Sequence, residues 1–179
     1  GSGPIGQGLA TLWAQAGYMV QLGARSPESA RRVSVPPSVR VVSFEEAARH
    51  KVVVLAVKHS VAEDVIDPLA PLLKGAMVVD VMNAAGIREG QIVSTLPEGR
   101  TEGQWMAEML PDSVVVRAFS HIQEELLVSR AGKNLGVWAV GYATDALEER
   151  PRIESLLEAT GYVPVFVGTL AESSLLDPG

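Results

Sequence analysis

The sequence predicts an α/β domain of the doubly wound kind, three-layered, with helices on both faces of one mostly parallel sheet. Three observations predict it. Short apolar runs alternate with amphipathic stretches along the whole chain, the order expected of βαβ units. The runs from Val52 to Val57 and from Ala76 to Val81 lack the polar alternation of a half-exposed strand, Asp80 excepted, as strands covered on both faces require. Finally, Gly1-Ser2-Gly3-Pro4-Ile5-Gly6 stands directly ahead of a helical pattern, where a glycine-rich turn would join strand to helix. At 179 residues the chain is expected to form a single domain, 1–179.

The elements follow in order. Ile5, Leu9, Leu12, Trp13 and Ala16 recur at helical spacing, and Gly17 is placed to close that helix in the left-handed conformation. Tyr18 to Leu22 reads as a short strand and Gly23 to Pro27 as a turn. Glu28 to Val33 starts a helix, with Ser26 as N-cap and Pro27 in the first position. Val39 to Val42 is a strand, and Ser43-Phe44-Glu45-Glu46 opens a helix reaching about His50. The strand at 52–57 leads into one amphipathic helix from Ser60 to Leu73, then the strand at 76–81. Asn83 to Gly103 is irregular. A helix over Glu102 to Leu110, a strand at Val114 to Ala118 and a helix or loop at Gln123 to Ser129 come next. A strand at Leu135 to Val140, a helix at Asp145 to Thr160 and a strand at Val163 to Val167 finish the chain. The strands near residues 20 and 54 need a neighbour between them. A strand is therefore expected before Gly1, in the centre of the sheet, and the start reads as truncated.

Composition excludes several function classes. The absence of cysteine removes disulfide scaffolds, thiolate metal sites and cysteine nucleophiles, and suits a cytoplasmic location. A formal charge of −6 disfavours general nucleic-acid or anionic-membrane binding, and the apolar runs are far shorter than a membrane span. His50, His59 and His121 do not form a metal-ligand spacing, and no Gly-x-Ser-x-Gly elbow is present, so neither a metal site nor a serine hydrolase is expected.

The glycines point to a dinucleotide. In this arrangement the first makes the tight turn, the second lets a pyrophosphate approach the backbone and the third lets helix and strand pack closely. The diphosphate then sits on free N–H groups at the positive end of the helix. An Asp or Glu about 20 residues on would accept bonds from an NAD ribose, but this chain has Gly23-Ala24-Arg25-Ser26 there. Arg25 offers a fork of donors and Ser26 a hydroxyl, which suit the 2′-phosphate of NADP. Residues 25–40 carry Arg25, Arg31, Arg32 and Arg40 against Glu28, a local +3 in an acidic chain.

The ordered set of landmarks resembles the NADP-binding, Rossmann-like domain shared by coenzyme F420-dependent NADP oxidoreductases and the cytosolic domains of membrane ferric reductases. The matching pieces are residues 1–6, Arg25-Ser26-Pro27-Glu28, Val54-Leu55-Ala56-Val57, Val79-Asp80-Val81-Met82-Asn83, Val115 to Ile122, Gly161 to Val165 and Gly168 to Ser173. The resemblance implies hydride transfer between NADP(H) and a second redox carrier, F420 or a flavin. It places the cofactor on Gly1, Ser2, Gly3, Pro4, Ile5, Gly6, Ala24, Arg25 and Ser26, with Val57, Lys58, Asn83 and Ala84 flanking the nicotinamide. The acceptor would lie beyond, near Ser120 and His121. The chain departs from the family at Lys58-His59, at Ser120-His121 and at Gly141-Tyr142-Ala143, all around the acceptor side.

His59 and His121 each follow a strand on that side, and either could bond an acceptor ring or supply a proton. Asp80 reads as a buried anchor for a neighbouring loop, His50 as a surface residue, and Trp13, Trp105 and Trp138 as packing residues. The alternative to an oxidoreductase is a non-catalytic NADP(H)-sensing module or a cofactor-binding subunit. The apolar ending around Leu175 and Leu176 suggests a homodimer.

Overall fold

A computed structural model describes residues 1–131 and 136–178. Helix α1 (Pro4–Gln15) follows the glycine turn at once, with Pro4 at a position where its missing N–H leaves no bond unmade, and Gly17 at φ 91° turns the chain back. Then come β1 (Gln21–Gly23), α2 (Pro27–Arg31), β2 (Arg40–Val42), α3 (Phe44–Ala47) and β3 (Val52–Leu55). The middle of the chain forms α4 (Ala62–Ile66), α5 (Ala70–Leu73), β4 (Met77–Asp80), β5 (Ala85–Arg88), β6 (Gln91–Ser94), α6 (Glu102–Met109) and β7 (Val114–Ala118). The last third forms α7 (Glu124–Arg130), β8 (Ala139–Ala143), α8 (Arg150–Glu158), β9 (Val163–Gly168) and a run of 3-10 turns over Leu170–Leu176.

The main sheet has the order β3-β4-β7-β8-β9, parallel throughout except for the β7–β8 pair. Helices cover both faces. On one, Leu9, Leu12 and Trp13 of α1, Leu127 of α7 and Ile153 and Leu157 of α8 pack on Met77, Val79 and Val116. On the other, Ile66, Leu69, Leu73 and Met106 pack on Val53, Leu55, Val78 and Val115. Alternate residues of β4 and β7 thus enter opposite cores, which is why neither strand shows a polar face. This is the three-layered α/β architecture the sequence predicts.

Strands β1 and β2 form a separate parallel pair, not hydrogen-bonded to the main sheet. Between β1 and β3 runs a cleft of about 300 Å³, walled by Trp13, Val20, Leu22, Phe44, Val52 and Val54.

Several boundaries differ from expectation. The single helix at 60–73 is broken into a 3-10 turn at His59–Val61, then α4 and α5. Pro68 and Pro71 cause the break between α4 and α5, because each lacks an N–H and crowds the preceding turn. The irregular stretch contains the antiparallel hairpin β5–β6, turning at Glu89 and Gly90, both at positive φ (52° and 79°). The strand expected at 135–140 is β8 at Ala139–Ala143, so Gly141-Tyr142-Ala143 is strand and not turn; Leu135 lies outside the described residues. The last long helix starts as a 3-10 turn and becomes α8 at Arg150, just ahead of Pro151. Trp138 is not interior: it is 37% exposed, with the Arg130 guanidinium 5.1 Å above its ring.

Candidate functional site

The glycine turn is built by contact. A Cβ on Gly1 would strike the carbonyl oxygen of Ala56, just after β3, and one on Gly6 would strike the carbonyl oxygen of Gly1. Gly3 is the opposite case: no atom lies within 4 Å of where its Cβ would stand. Two glycines therefore bind the start of α1 to the sheet, and the third leaves the helix N-terminus open, where the first N–H groups have no intrahelical partner. Gln7 braces the turn. Its Nε2 donates to the Ser2 carbonyl at 2.8 Å, and its Oε1 accepts from the Ser34 N–H at 2.8 Å. Ile5 packs against the core beneath the turn.

Beyond β1, Ala24 is buried, and its N–H donates to the Val42 carbonyl. Arg25 is exposed. Ser26 caps α2 as expected, accepting from the Ser29 N–H, while the Ser29 hydroxyl accepts from the Ser26 N–H. Of the nearby arginines, Arg32 pairs with Glu28 and Arg40 with Glu46, whereas Arg25 enters no ion pair among the described residues.

At the carboxyl ends of β3 and β4 opens a second crevice, of about 400 Å³, lined by Val57, Lys58, His59, Asn83, Ala85 and Thr95. Val57, Lys58, His59 and Asn83 are thereby brought together. Ala84 is not with them. It is buried, and its N–H is taken by Glu102 Oε2 at 2.8 Å; Ala85 lines the crevice in its place.

Behind the crevice lies a charged cluster that sequence reasoning missed apart from Asp80. Asp80 and Arg117 are register partners on β4 and β7, so they share one face of the sheet, and both are fully buried. Arg117 Nη1 donates to Asp80 Oδ2 at 3.2 Å and to the Met82 carbonyl. Its Nε and Nη2 reach Asp177 Oδ1 at 3.1 and 2.9 Å, and Nη2 also reaches Asn83 Oδ1 at 3.1 Å. Asn83 in turn donates to the Ser120 carbonyl at 2.8 Å, which fixes its amide. Asp80 Oδ1 accepts from the Met82 N–H at 2.9 Å, confirming its role as a loop anchor. Burial pushes the Asp80 carboxyl up to about 7, against the pull of Arg117. One signal was available: Arg117, like Asp80, interrupts an apolar strand, and a charge at such a place needs a partner. Glu102 and Asp177 gave none.

The two candidate histidines differ. His59 Nδ1 lies 2.7 Å from Glu102 Oε1, its ring rests against Trp105 at 4.6 Å between centroids, and its edge lines the crevice. His121 sits at the end of β7, and its Nε2 accepts from the Gly141 N–H at 3.2 Å. Desolvation of that ring and the Arg117 charge hold it below the usual histidine value. The structure does not bring His121 to the 400 Å³ crevice. His50 is exposed and borders the cleft between β1 and β3. Just before His121, Phe119 is buried at φ 61°, a conformation costly for a residue with a Cβ. Among the described residues no group of acids and histidines could hold a metal ion, and no helix is long and apolar enough to cross a membrane.

Residues 1–84 match the family model described as NADP oxidoreductase, coenzyme F420-dependent. Metalloreductase STEAP3 of Rattus norvegicus is 29% identical over 175 residues, 97% of this chain and 34% of that protein, so the chain spans about a third of its curated relative. A candidate F420-dependent NADP-reductase from Arthrobacter sp. FB24 superposes with a TM-score of 0.83 at 20% identity, covering 98% of this chain and 87% of that one. Plasmodium falciparum pyrroline carboxylate reductase, solved with NADP bound, superposes at 0.63 and 17% identity over 93% of this chain and 55% of its own. These structural likenesses show the Rossmann-like fold. These likenesses agree with the resemblance read from the sequence: over residues 1–84 the chain is similar to the coenzyme F420-dependent NADP oxidoreductases.

Proposed function

We propose that the domain binds NADP(H) and transfers hydride between its nicotinamide and a second planar redox carrier of the flavin or deazaflavin type. The observation that carries the reading is the glycine turn: Gly1 and Gly6 seat α1 on the sheet, and Gly3 leaves its N-terminus open to a diphosphate. Arg25, which has no ion-pair partner among the described residues, is the residue for the 2′-phosphate. Val57, Lys58 and Asn83 would flank the nicotinamide at the carboxyl ends of β3 and β4, where ligands bind in open α/β sheets.

The bound cofactor supplies the hydride chemistry; the chain supplies orientation, dryness and charge. Asn83 is held from both sides by Arg117 and Ser120, so it can present one fixed face to a ring. Lys58 and His59 give the crevice a basic wall suited to the negative charge that an acceptor gains with the hydride.

The test is a fluorescence titration of NADPH and NADH, followed by a screen of NADPH oxidation against F420, free flavins and quinones. NADPH should bind more tightly than NADH. Arg25→Ala should weaken NADPH about 10- to 100-fold and leave NADH unchanged. Equal affinities in the wild type would refute the phosphate assignment. Tight NADPH binding with no acceptor reduced would make the chain a cofactor-binding subunit instead.

A further inference from the structure

Helix α6 clamps one imidazole from two sides. Glu102, its first residue, places Oε1 at 2.7 Å from His59 Nδ1, and Trp105, one turn on, lies against the ring. Glu102 is 1% exposed and doubly engaged, because Oε2 accepts the Ala84 N–H. Its backbone N–H is held by Asp177 Oδ2 at 3.0 Å, and the N-cap Thr101 hydroxyl donates to the Leu170 carbonyl at 2.6 Å. The carboxylate is thus fixed by the loop after β4, and the start of α6 that carries it by the turns at Leu170 and Asp177. A carboxylate offers no proton, so His59 must put its hydrogen on Nδ1 and leave Nε2 for the crevice side.

We propose that Glu102 is a positioning residue that holds His59 as the proton donor to the reduced acceptor. This rests on the oxidoreductase reading above. Hydride transfer breaks the nicotinamide C4–H bond and carries two electrons to the flavin or deazaflavin, leaving NADP⁺ and a reduced acceptor one proton short. Imidazolium Nε2–H supplies that proton, and the neutral Nδ1–H imidazole is reprotonated from solvent. The charged groups around His59 are Glu102 at its Nδ1 and Lys58 on the crevice wall, with Asp177, Arg117 and Asp80 behind Glu102.

Glu102→Gln makes the test sharp. A glutamine has one acceptor oxygen, and the buried Ala84 N–H claims it; the amide NH₂ then faces His59 Nδ1 and forces the hydrogen to Nε2. Nitrogen-15 NMR of the imidazoles should show neutral His59 as the Nδ1–H tautomer in the wild type and as Nε2–H in Glu102→Gln. With the best acceptor of the screen, kcat should fall about 100-fold while the NADPH dissociation constant stays unchanged. His59→Asn should lose the same factor, and the double variant no more than either. Should Glu102→Gln unfold, the wild-type tautomer and the His59→Asn kinetics still decide. A wild type that binds NADPH but reduces no acceptor overturns the functional reading. An active wild type with His59 as Nε2–H, with an active His59→Asn variant, or with kcat preserved in a folded Glu102→Gln variant, overturns this inference alone.

Discussion

Replacing Arg117 by methionine should be the most damaging single change in the sheet. The guanidinium is fully buried and serves Asp80, Asp177, Asn83 and the Met82 carbonyl at once. Methionine fills much of the volume but leaves two carboxylates facing each other without a cation. Breaking a buried pair in this way costs about 3–5 kcal/mol, or roughly 6–20 °C in melting temperature for a chain of this size. The loss should also depend on pH. Asp80 is raised from 3.8 in the unfolded chain to about 7 in the fold. Between those values the folded state holds a proton that the unfolded state has released, so Asp80 favours folding in acid and stability falls as pH rises through the window. Arg117 is the main influence holding Asp80 down; without it the fall continues above 7. Urea unfolding at pH 6 and pH 8 therefore should give a larger difference between wild type and Arg117→Met at pH 8, and adding Asp80→Asn should recover part of it. A loss below about 1 kcal/mol, or an equal loss at both pH values, would refute the view that this cluster is held by one cation.

The glycine turn and the strained aromatic make further predictions. Gly3→Ala should fold as the wild type does yet weaken NADPH at least tenfold in the fluorescence titration, whereas Gly6→Ala should lose about 1–3 kcal/mol in urea because its methyl meets the Gly1 carbonyl. Phe119 makes edge-on contacts with Trp13 and Tyr162 at 6.1 and 6.2 Å, so Phe119→Ala should cost about 3–5 kcal/mol. Phe119→Gly loses the same packing but relieves the positive φ, and should be more stable than Phe119→Ala by about 1 kcal/mol; the reverse order in thermal melts would contradict the strain.

The parallel sheet was legible because burial on both faces writes itself as apolar runs at β3, β4 and β7, broken only at Asp80 and Arg117. The cap at Ser26 and the closing Gly17 were equally plain, since each satisfies a local backbone need. Failures came where local and distant forces compete. Apolar spacing through 60–73 masked Pro68 and Pro71, and the turn at Glu89-Gly90 lacks the asparagine that advertises such hairpins. Lys58, His59 and Asn83 were placed on one crevice from their positions at strand ends. Glu102 was not, because its meaning depends on His59, 43 residues earlier, and on Ala84, 18 residues earlier. Pairings over such distances leave no periodic trace in one chain.

Arg25 follows the strand pair β1–β2, and Lys58, His59 and Asn83 follow strands of the five-stranded sheet. Helix α3 touches both, with Phe44 and Ala47 against Gly23 and Phe44 packed on the core beside β3. A dinucleotide reaching from Arg25 to Asn83 would be held by both sets of strands at once. Such a ligand adds roughly RT ln(1 + [L]/Kd) to the free energy of unfolding either one. Hydrogen exchange along β1 and β3 would then slow together as cofactor is added.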